Sequence, residues 1–431
     1  MTSTGPIPLP TVGPNRRQET SALLASTVLR NVAQIVIIWL LATLTNPETV
    51  GRYALVLAIA TPVFVVAQLG IRGIYLTHAQ PIALRSYVLV QLAFLLAAGI
   101  ITISAAAVFN PSLVLLALFV SGAKASDALA EPFSGVAQRF HRTSLVLVCS
   151  TLVAVVGSGA LALTLILTSS LELATLAFAV ISLLSTAIAL AVPATRIART
   201  RESNQAMLSL AGSWRFILAA GLPLGVSTGL LQLITSAPQY VLDQTMGAAD
   251  VGRLAVLIYA YAVADLVAGT LSIAWIPHAQ DDLRQRRGRR MPITGITLRA
   301  ISRWSLIYIP LTVVGLAFVW FAYPFVFGEA YALTLDAAIP LGIAVLLLPA
   351  ANFSTAATIV SNQYAHSLAF SIAAAVAGIG AALLLVPIAG IAGAIWAMAI
   401  GNAVRAIAAF LIVAFGESRE ARRRIVPESG S

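Results

Sequence analysis

Twelve stretches of mostly apolar residues, each long enough to cross a bilayer, divide this sequence from end to end. They run over approximately 22–45, 53–75, 84–109, 113–137, 143–168, 173–195, 216–242, 252–277, 300–323, 333–360, 366–387 and 390–415. About 20 such residues in helical form cover the ~30 Å of hydrocarbon in a membrane. Within lipid every backbone N–H and C=O must find its partner inside the chain, which leaves only helices or a closed barrel. Unbroken apolar runs of this length specify helices. Composition agrees, with 59% of residues hydrophobic and 10% charged, whereas soluble domains carry about 25% charged residues. The sequence therefore predicts an all-α polytopic membrane protein. Its last two spans are parted only by Pro387-Ile388-Ala389-Gly390, whose Pro and Gly break a helix and suit a hairpin.

Residues 1–21 lack the apolar core and small-residue cleavage site of a signal peptide and read as a disordered tail. The formal net charge of +10 is carried by 25 arginines and one lysine, Lys124. Twenty of the arginines lie in the two tails and the even-numbered loops. Arg52 and Arg253 alone lie in odd-numbered loops, while Arg30, Arg72 and Arg405 fall inside or at the edge of spans. Basic loops face the cytoplasm, so both termini are expected there. On the same ground the cluster from Arg284 to Arg290 reads as a topology signal, and no nucleic-acid partner is expected. Cys149 is the only cysteine, which excludes a disulfide framework and a cysteine-based metal site. A phosphate-binding G-x-x-x-x-G-K-[ST] loop is absent. No metal or other cofactor is expected, and no catalytic residues are assigned.

The sequence repeats itself at about two hundred residues. Val50-Gly51-Arg52 recurs as Val251-Gly252-Arg253, and Ser26-Thr27 as Ser227-Thr228. Ala154-Val155-Val156-Gly157 resembles Ala375-Val376-Ala377-Gly378. His78 and His278 follow spans two and eight, while His141 and His366 precede spans five and eleven. Scattered at helix ends, these histidines suit the membrane interface better than a metal. Six is an even number of crossings, so the two halves run in the same direction. The expected architecture is two six-helix lobes related by a pseudo-two-fold axis along the membrane normal, as in transporters that hold substrate between lobes. The lobes are expected over 22–195 and 216–415, with a cytoplasmic linker at 196–215 and a tail at 416–431.

Six ionisable residues lie well inside spans: Arg30, Lys124, Asp127, Glu131, Asp265 and Arg405. Each costs about 2.5–3.5 kcal/mol at a helix centre by insertion scales, so each must pair or face water. Lys124, Asp127 and Glu131 are spaced i, i+3, i+7 and share one helical stripe, which allows a Lys124–Asp127 pair and leaves Glu131 for another partner. Arginine presents a planar fork suited to phosphate or pyrophosphate. Arg30, Lys124 and Arg405 are thus candidates for binding substrate in a hydrated, cationic central cavity. Asp127, Glu131 and Asp265 are candidates for balancing charge or coupling an ion. The competing reading makes all six structural ion pairs. Prolines within spans (Pro62, Pro223, Pro238, Pro310, Pro340, Pro349) bend helices, which suits alternating access.

Two segments carry a family resemblance. Val50-Gly-Arg-Tyr-Ala-Leu, running to Gln68-Leu-Gly-Ile-Arg72, resembles the second span of polysaccharide flippases in the multidrug/oligosaccharidyl-lipid/polysaccharide exporter superfamily. The segment from Leu383 through Pro387, Gly390 and Gly393 to Asn402 is similar to that family's hairpin between its last two spans. The chain departs from the family pattern at Gln68, where relatives often carry an acid, and at Leu254, where the repeated motif lacks its tyrosine. The resemblance implies a flippase of the bacterial inner membrane that moves polyprenyl-pyrophosphate-linked oligosaccharide outward for surface polysaccharide synthesis. It also implies membrane lipids as partners, with a polysaccharide polymerase or glycosyltransferases alongside. A cation-coupled multidrug exporter of the same superfamily is the alternative, followed by a membrane enzyme acting on polyprenyl-linked sugars.

Overall fold

The computed structural model describes residues 16–77, 82–202, 210–285, 292–361, 363 and 366–425. The first fifteen residues, His78, the part of the arginine cluster at 286–290 and the end from 426 lie outside the described residues. Among the described residues there are helices and turns and no strand. The helices are α1 (Arg16–Leu44), α2 (Pro47–Ala67), α3 (Ile71–Thr77), α4 (Leu84–Phe109), α5 (Val114–Arg139), α6 (Ser144–Leu152) and α7 (Ser158–Thr168). They continue as α8 (Leu171–Ser185), α9 (Val192–Glu202), α10 (Leu210–Met246), α11 (Ala248–Gln285), α12 (Ile293–Phe327), α13 (Leu335–Val360) and α14 (Ser367–Ile425). Short π-helical turns at Val153–Gly157 and Thr186–Ala191 join α6 to α7 and α8 to α9. Each of those pairs makes a single crossing.

Eleven helices among the described residues are long and apolar enough to cross a membrane, one fewer than the twelve stretches of sequence. The difference lies in α14. Its 59 residues would reach ~88 Å if straight, about three bilayer cores. The helix breaks at Gly390, where φ is 54° and ψ is −126°, a backbone that a side chain would strain. Its two arms then fold together: a Cβ built on Gly378 lies 3.7 Å from the Cα of Gly401. The arms are the eleventh and twelfth crossings, and Pro387–Gly390 is the hairpin turn.

Local chemistry sets the other ends. The Asn46 side chain accepts from Thr49 N–H at 2.9 Å, with Pro47 in the first turn behind it, a favourable N-cap. Ser170 caps α8 through Leu173 N–H at 3.3 Å. At the start of α12 the carboxylate of Glu417, from the end of α14, accepts from Ile293 N–H and from Thr294 Oγ1 (2.8 Å). Glu417→Ala strips that helix end of its acceptor, which typically costs ~1 kcal/mol. A thermal melt in detergent is expected to show a midpoint lowered by a few degrees, and Glu417→Gln should recover part of it.

The two halves meet through close backbone approaches. α2 packs along both α10 and α11. At the odd-loop end the repeated glycines face one another: a Cβ on Gly51 would sit 1.7 Å from Ala248 O, and one on Gly252 would sit 2.1 Å from Pro47 O. Farther along α2, Gly221, Gly225 and Gly229 of α10 lie against the backbone oxygens of Leu69, Val66 and Pro62. This is the small-xxx-small spacing that lets membrane helices come together. Trp39 Nε1 of α1 also donates to Val326 O of α12 at 2.9 Å. The repeat-related partner of the α2–α10 seam would join α1 to α11, and those helices scarcely touch.

Candidate functional site

The six intramembrane charges fall into three groups. The first joins α1, α5 and α6. Arg30 Nε donates to Ser150 Oγ at 3.2 Å, and Arg30 Nη1 lies 3.8 Å from Glu131 Oε1. Glu131 thus takes a partner outside its own stripe. Ser150 stands at the end of α6 just before the Val153–Gly157 π turn, and Thr186 opens the other π turn. Thr186 Oγ1 lies 3.0 Å from Ser126 Oγ and 3.8 Å from Cys149 Sγ, so both π turns adjoin the polar interior of the first half. Extra-residue turns of this kind recur at functional sites in helices.

The second group is Lys124 and Asp127. No ion pair within 4 Å joins them among the described residues, contrary to the pair that their spacing allows. Both line a small cavity of about 20 Å³. Gln34 of α1, Tyr53 of α2, Thr175 of α8 and Tyr259 of α11 complete its polar lining. The cavity lies between the halves, since Tyr259 comes from the second and the rest from the first. Its volume admits about one water molecule.

The third group belongs to the second half. Asn352 Nδ2 of α13 donates to Asp265 Oδ1 of α11 at 2.9 Å and to Leu348 O at 3.1 Å. Its Oδ1 accepts from Arg405 Nη2 of α14 at 3.5 Å, and Arg405 Nε donates to Thr355 Oγ1 at 3.2 Å. One amide therefore links an acid and a base that do not touch. Nearby, Asn402 Nδ2 donates to Tyr261 OH at 2.8 Å. Arg405 has neutral partners alone among the described residues. Among the described residues Arg30 and Arg405 share no partner, and each serves its own half.

Sequence reasoning passed over Gln34, Ser150, Asn352 and Thr355. Three of them carried a signal: Gln34 lies four residues beyond Arg30 on the same stripe, and Asn352 and Thr355 interrupt an apolar run at i, i+3 spacing. Ser150 and Thr186 carried none, because a π turn resets the register that such spacing assumes. At the surface, His141 Nδ1 meets Glu19 Oε2 at 2.8 Å, and Arg52 meets Glu172 at 3.2 Å. Among the described residues no three His, Cys, Asp or Glu side chains gather to hold a metal.

Twelve helical crossings, two halves sealed across glycines, and charges held inside the spans define a polytopic helical membrane protein. Solved structures make the fold specific. The chain is similar to an inward-facing multidrug resistance transporter of the MATE family in the MOP superfamily, with a TM-score of 0.64, 15% identity, and 96% and 100% of the two chains covered. It is also similar to the lipid II flippase MurJ in an inward closed conformation (TM-score 0.64, 12% identity, 96% and 94% covered). A third is the Vibrio cholerae MATE transporter VcmN (TM-score 0.61, 13% identity, 94% and 96% covered). These likenesses establish the two-lobe, twelve-helix fold. No family model and no curated protein matches the sequence.

Proposed function

We propose that this chain is a membrane transporter that flips polyprenyl-pyrophosphate-linked oligosaccharide across the bacterial inner membrane by alternating access, with the even-numbered loops and both termini in the cytoplasm. The observation that carries the reading is Arg405. Its guanidinium lies within a span and, among the described residues, has a hydroxyl and an amide oxygen as its only partners, and an uncompensated cation there seeks an anion. Pyrophosphate supplies charge and paired oxygens for the guanidinium fork. Arg30, shared between Ser150 and a 3.8 Å contact with Glu131, can turn to the same anion from the first half, and Lys124 adds charge between the halves. Glu131 balances Arg30 in the empty site, whereas Asp127 and Asp265 are the acids available to couple an ion. Separation of α1 from α11, whose contact is slight, would give the head group a way in while the polyprenyl tail stays in lipid. The lipid II flippase, which is similar to this chain in fold, carries a lipid-linked cargo in its name.

The decisive measurement is translocation in vesicles containing the purified full chain. A fluorescent polyprenyl-pyrophosphate sugar is expected to become accessible on the far leaflet, and an amphipathic cation such as ethidium to be left unmoved. Ethidium transport without lipid-linked sugar transport would replace this reading with the multidrug-exporter one. An acceptor sugar lengthened in the same vesicles would point to an enzyme.

A further inference from the structure

Helix α2 changes partner part-way along its length. Its oxygens at Pro62 and Val66 lie against Gly229 and Gly225 of α10, whereas Pro47 and Gly51 at its odd-loop end press on Gly252 and Ala248 of α11. Pro62 marks the change. Proline has no N–H to give to the carbonyl four residues back, so Ala58 O is without its helical donor. Ala58 is buried, and a buried carbonyl left unpaired is costly. Tyr240 of α10 supplies the missing donor: its hydroxyl donates to Ala58 O across the boundary between the halves. The ring of Tyr240 rests on Phe109, at the end of α4, with centroids 5.9 Å apart. Both the hydroxyl and the ring of this second-half residue are therefore held by the first half. Beside Pro62, between α2, α4 and α10, lies a groove of about 430 Å³ walled by apolar side chains, among them Val66, Ala98 and Leu233. It gives α2 room to bend at Pro62 without entering a packed core.

A second tyrosine shows what sets this bond apart. Tyr308 OH of α12 donates to Ala264 O of α11 at 2.8 Å. Four residues beyond Ala264 stands Ala268, within the same helix, and its N–H already serves that carbonyl. Helices α11 and α12 also belong to one half. Tyr308 adds a bond to a satisfied oxygen inside a half, while Tyr240 replaces a missing one between halves. We propose that Tyr240 is a latch: its hydroxyl takes the carbonyl that Pro62 frees, and so holds the bend of α2 while the odd-loop end is shut. Opening of that end swings residues 47–61 of α2 away from α10 and breaks the bond. Because the donor comes from outside the helix, the bond forms and breaks with the hydrogen-bond ladder of α2 unchanged. This inference stands on the α2–α10 contact and does not depend on which substrate crosses the membrane.

The test uses the purified full chain in detergent, with Cys149→Ala and Val251→Cys. That leaves one thiol, at a fully buried position next to Gly252 in the odd-loop end. Tyr240→Phe removes the hydroxyl and keeps the ring. It is expected to speed labelling of the thiol by a methanethiosulfonate about fivefold or more, as loss of one hydrogen bond from the closed state requires. Tyr308→Phe should leave the rate unchanged. Pro62→Ala returns an N–H to α2 and gives Ala58 O its helical donor. Tyr240→Phe added to Pro62→Ala should then change the rate by less than about twofold relative to Pro62→Ala alone. An unchanged rate in Tyr240→Phe overturns the proposal. So does a Tyr240→Phe effect of equal size with and without Pro62→Ala, for the hydroxyl would then act elsewhere than on the freed carbonyl. Should Pro62→Ala fail to fold, Pro62→Gly returns the same N–H and takes its place in the comparison.

Discussion

Valine at Gly51 or Gly252 is expected to stop transport and to leave the odd-loop end of the molecule open. A Cβ at Gly51 would lie 1.7 Å from Ala248 O and 2.6 Å from its carbonyl carbon, and one at Gly252 would lie 2.1 Å from Pro47 O. The obstructing atoms are backbone, so no rotamer change relieves the clash. Only separation of α2 from α11 does. Overpacking of this kind costs about 1–3 kcal/mol or more, and conformers that differ by a few kcal/mol are redistributed by such a sum. A shift of ~3 kcal/mol changes their ratio about a hundredfold. Tyr53, which is 5% exposed, reports the change. In a Cys149→Ala background, Tyr53→Cys should react slowly with a membrane-impermeant thiosulfonate in the parent and at least ~10 times faster beside Gly252→Val. Gly159→Val is the control, because a Cβ there meets nothing within 4 Å. Unchanged labelling together with unchanged transport in Gly252→Val would remove this contact from the mechanism.

The same glycines show what could be read before coordinates. Val50-Gly51-Arg52 and Val251-Gly252-Arg253 are visible as a repeat because contact across an axis of symmetry asks the same of both copies. Each must be small where the other arrives. Spans were legible for a similar reason, since hydrocarbon imposes one requirement on every residue facing it. The α14 hairpin was legible at Pro387 and Gly390, yet its exact place depends on one positive φ. The charged groups were harder. Burial of Arg30, Asp265 and Arg405 follows from cost alone, but cost does not choose partners. Glu131 reaches Arg30 across α1 and α5, whereas Asp265 reaches Arg405 only through Asn352. Those choices depend on helix rotation and on two π turns that shift register by part of a turn. They belong to packing, and periodicity does not encode them.

Arg30 and Arg405 should therefore respond differently to removal, although the sequence presents them as a matched pair. Arg30→Ala leaves Glu131 without its cation. Loss of one partner from a fully buried pair costs about 3–5 kcal/mol, and here the two side chains are 30% and 22% exposed, which reduces the penalty to roughly 1–2 kcal/mol. Its melting midpoint should fall, and Arg30→Ala/Glu131→Gln should regain most of the loss. Arg405→Ala strands no charge: Asn352 keeps Asp265 Oδ1 and Leu348 O, and Thr355 keeps its bond to Ala351 O at 2.8 Å. Its stability should change by less than ~1 kcal/mol. Transport should not be spared. Two hydrogen bonds from a guanidinium to a phosphate contribute about 1.5 kcal/mol each at the low end, so translocation of a pyrophosphate-linked sugar should drop about a hundredfold at equal membrane levels. Arg405→Lys keeps the charge and loses the fork, and should fall between. A stable Arg405→Ala protein that flips its substrate at the full rate would exclude the pyrophosphate from this group. The anion would then have to be sought at Arg30, where Glu131 already competes for the same guanidinium.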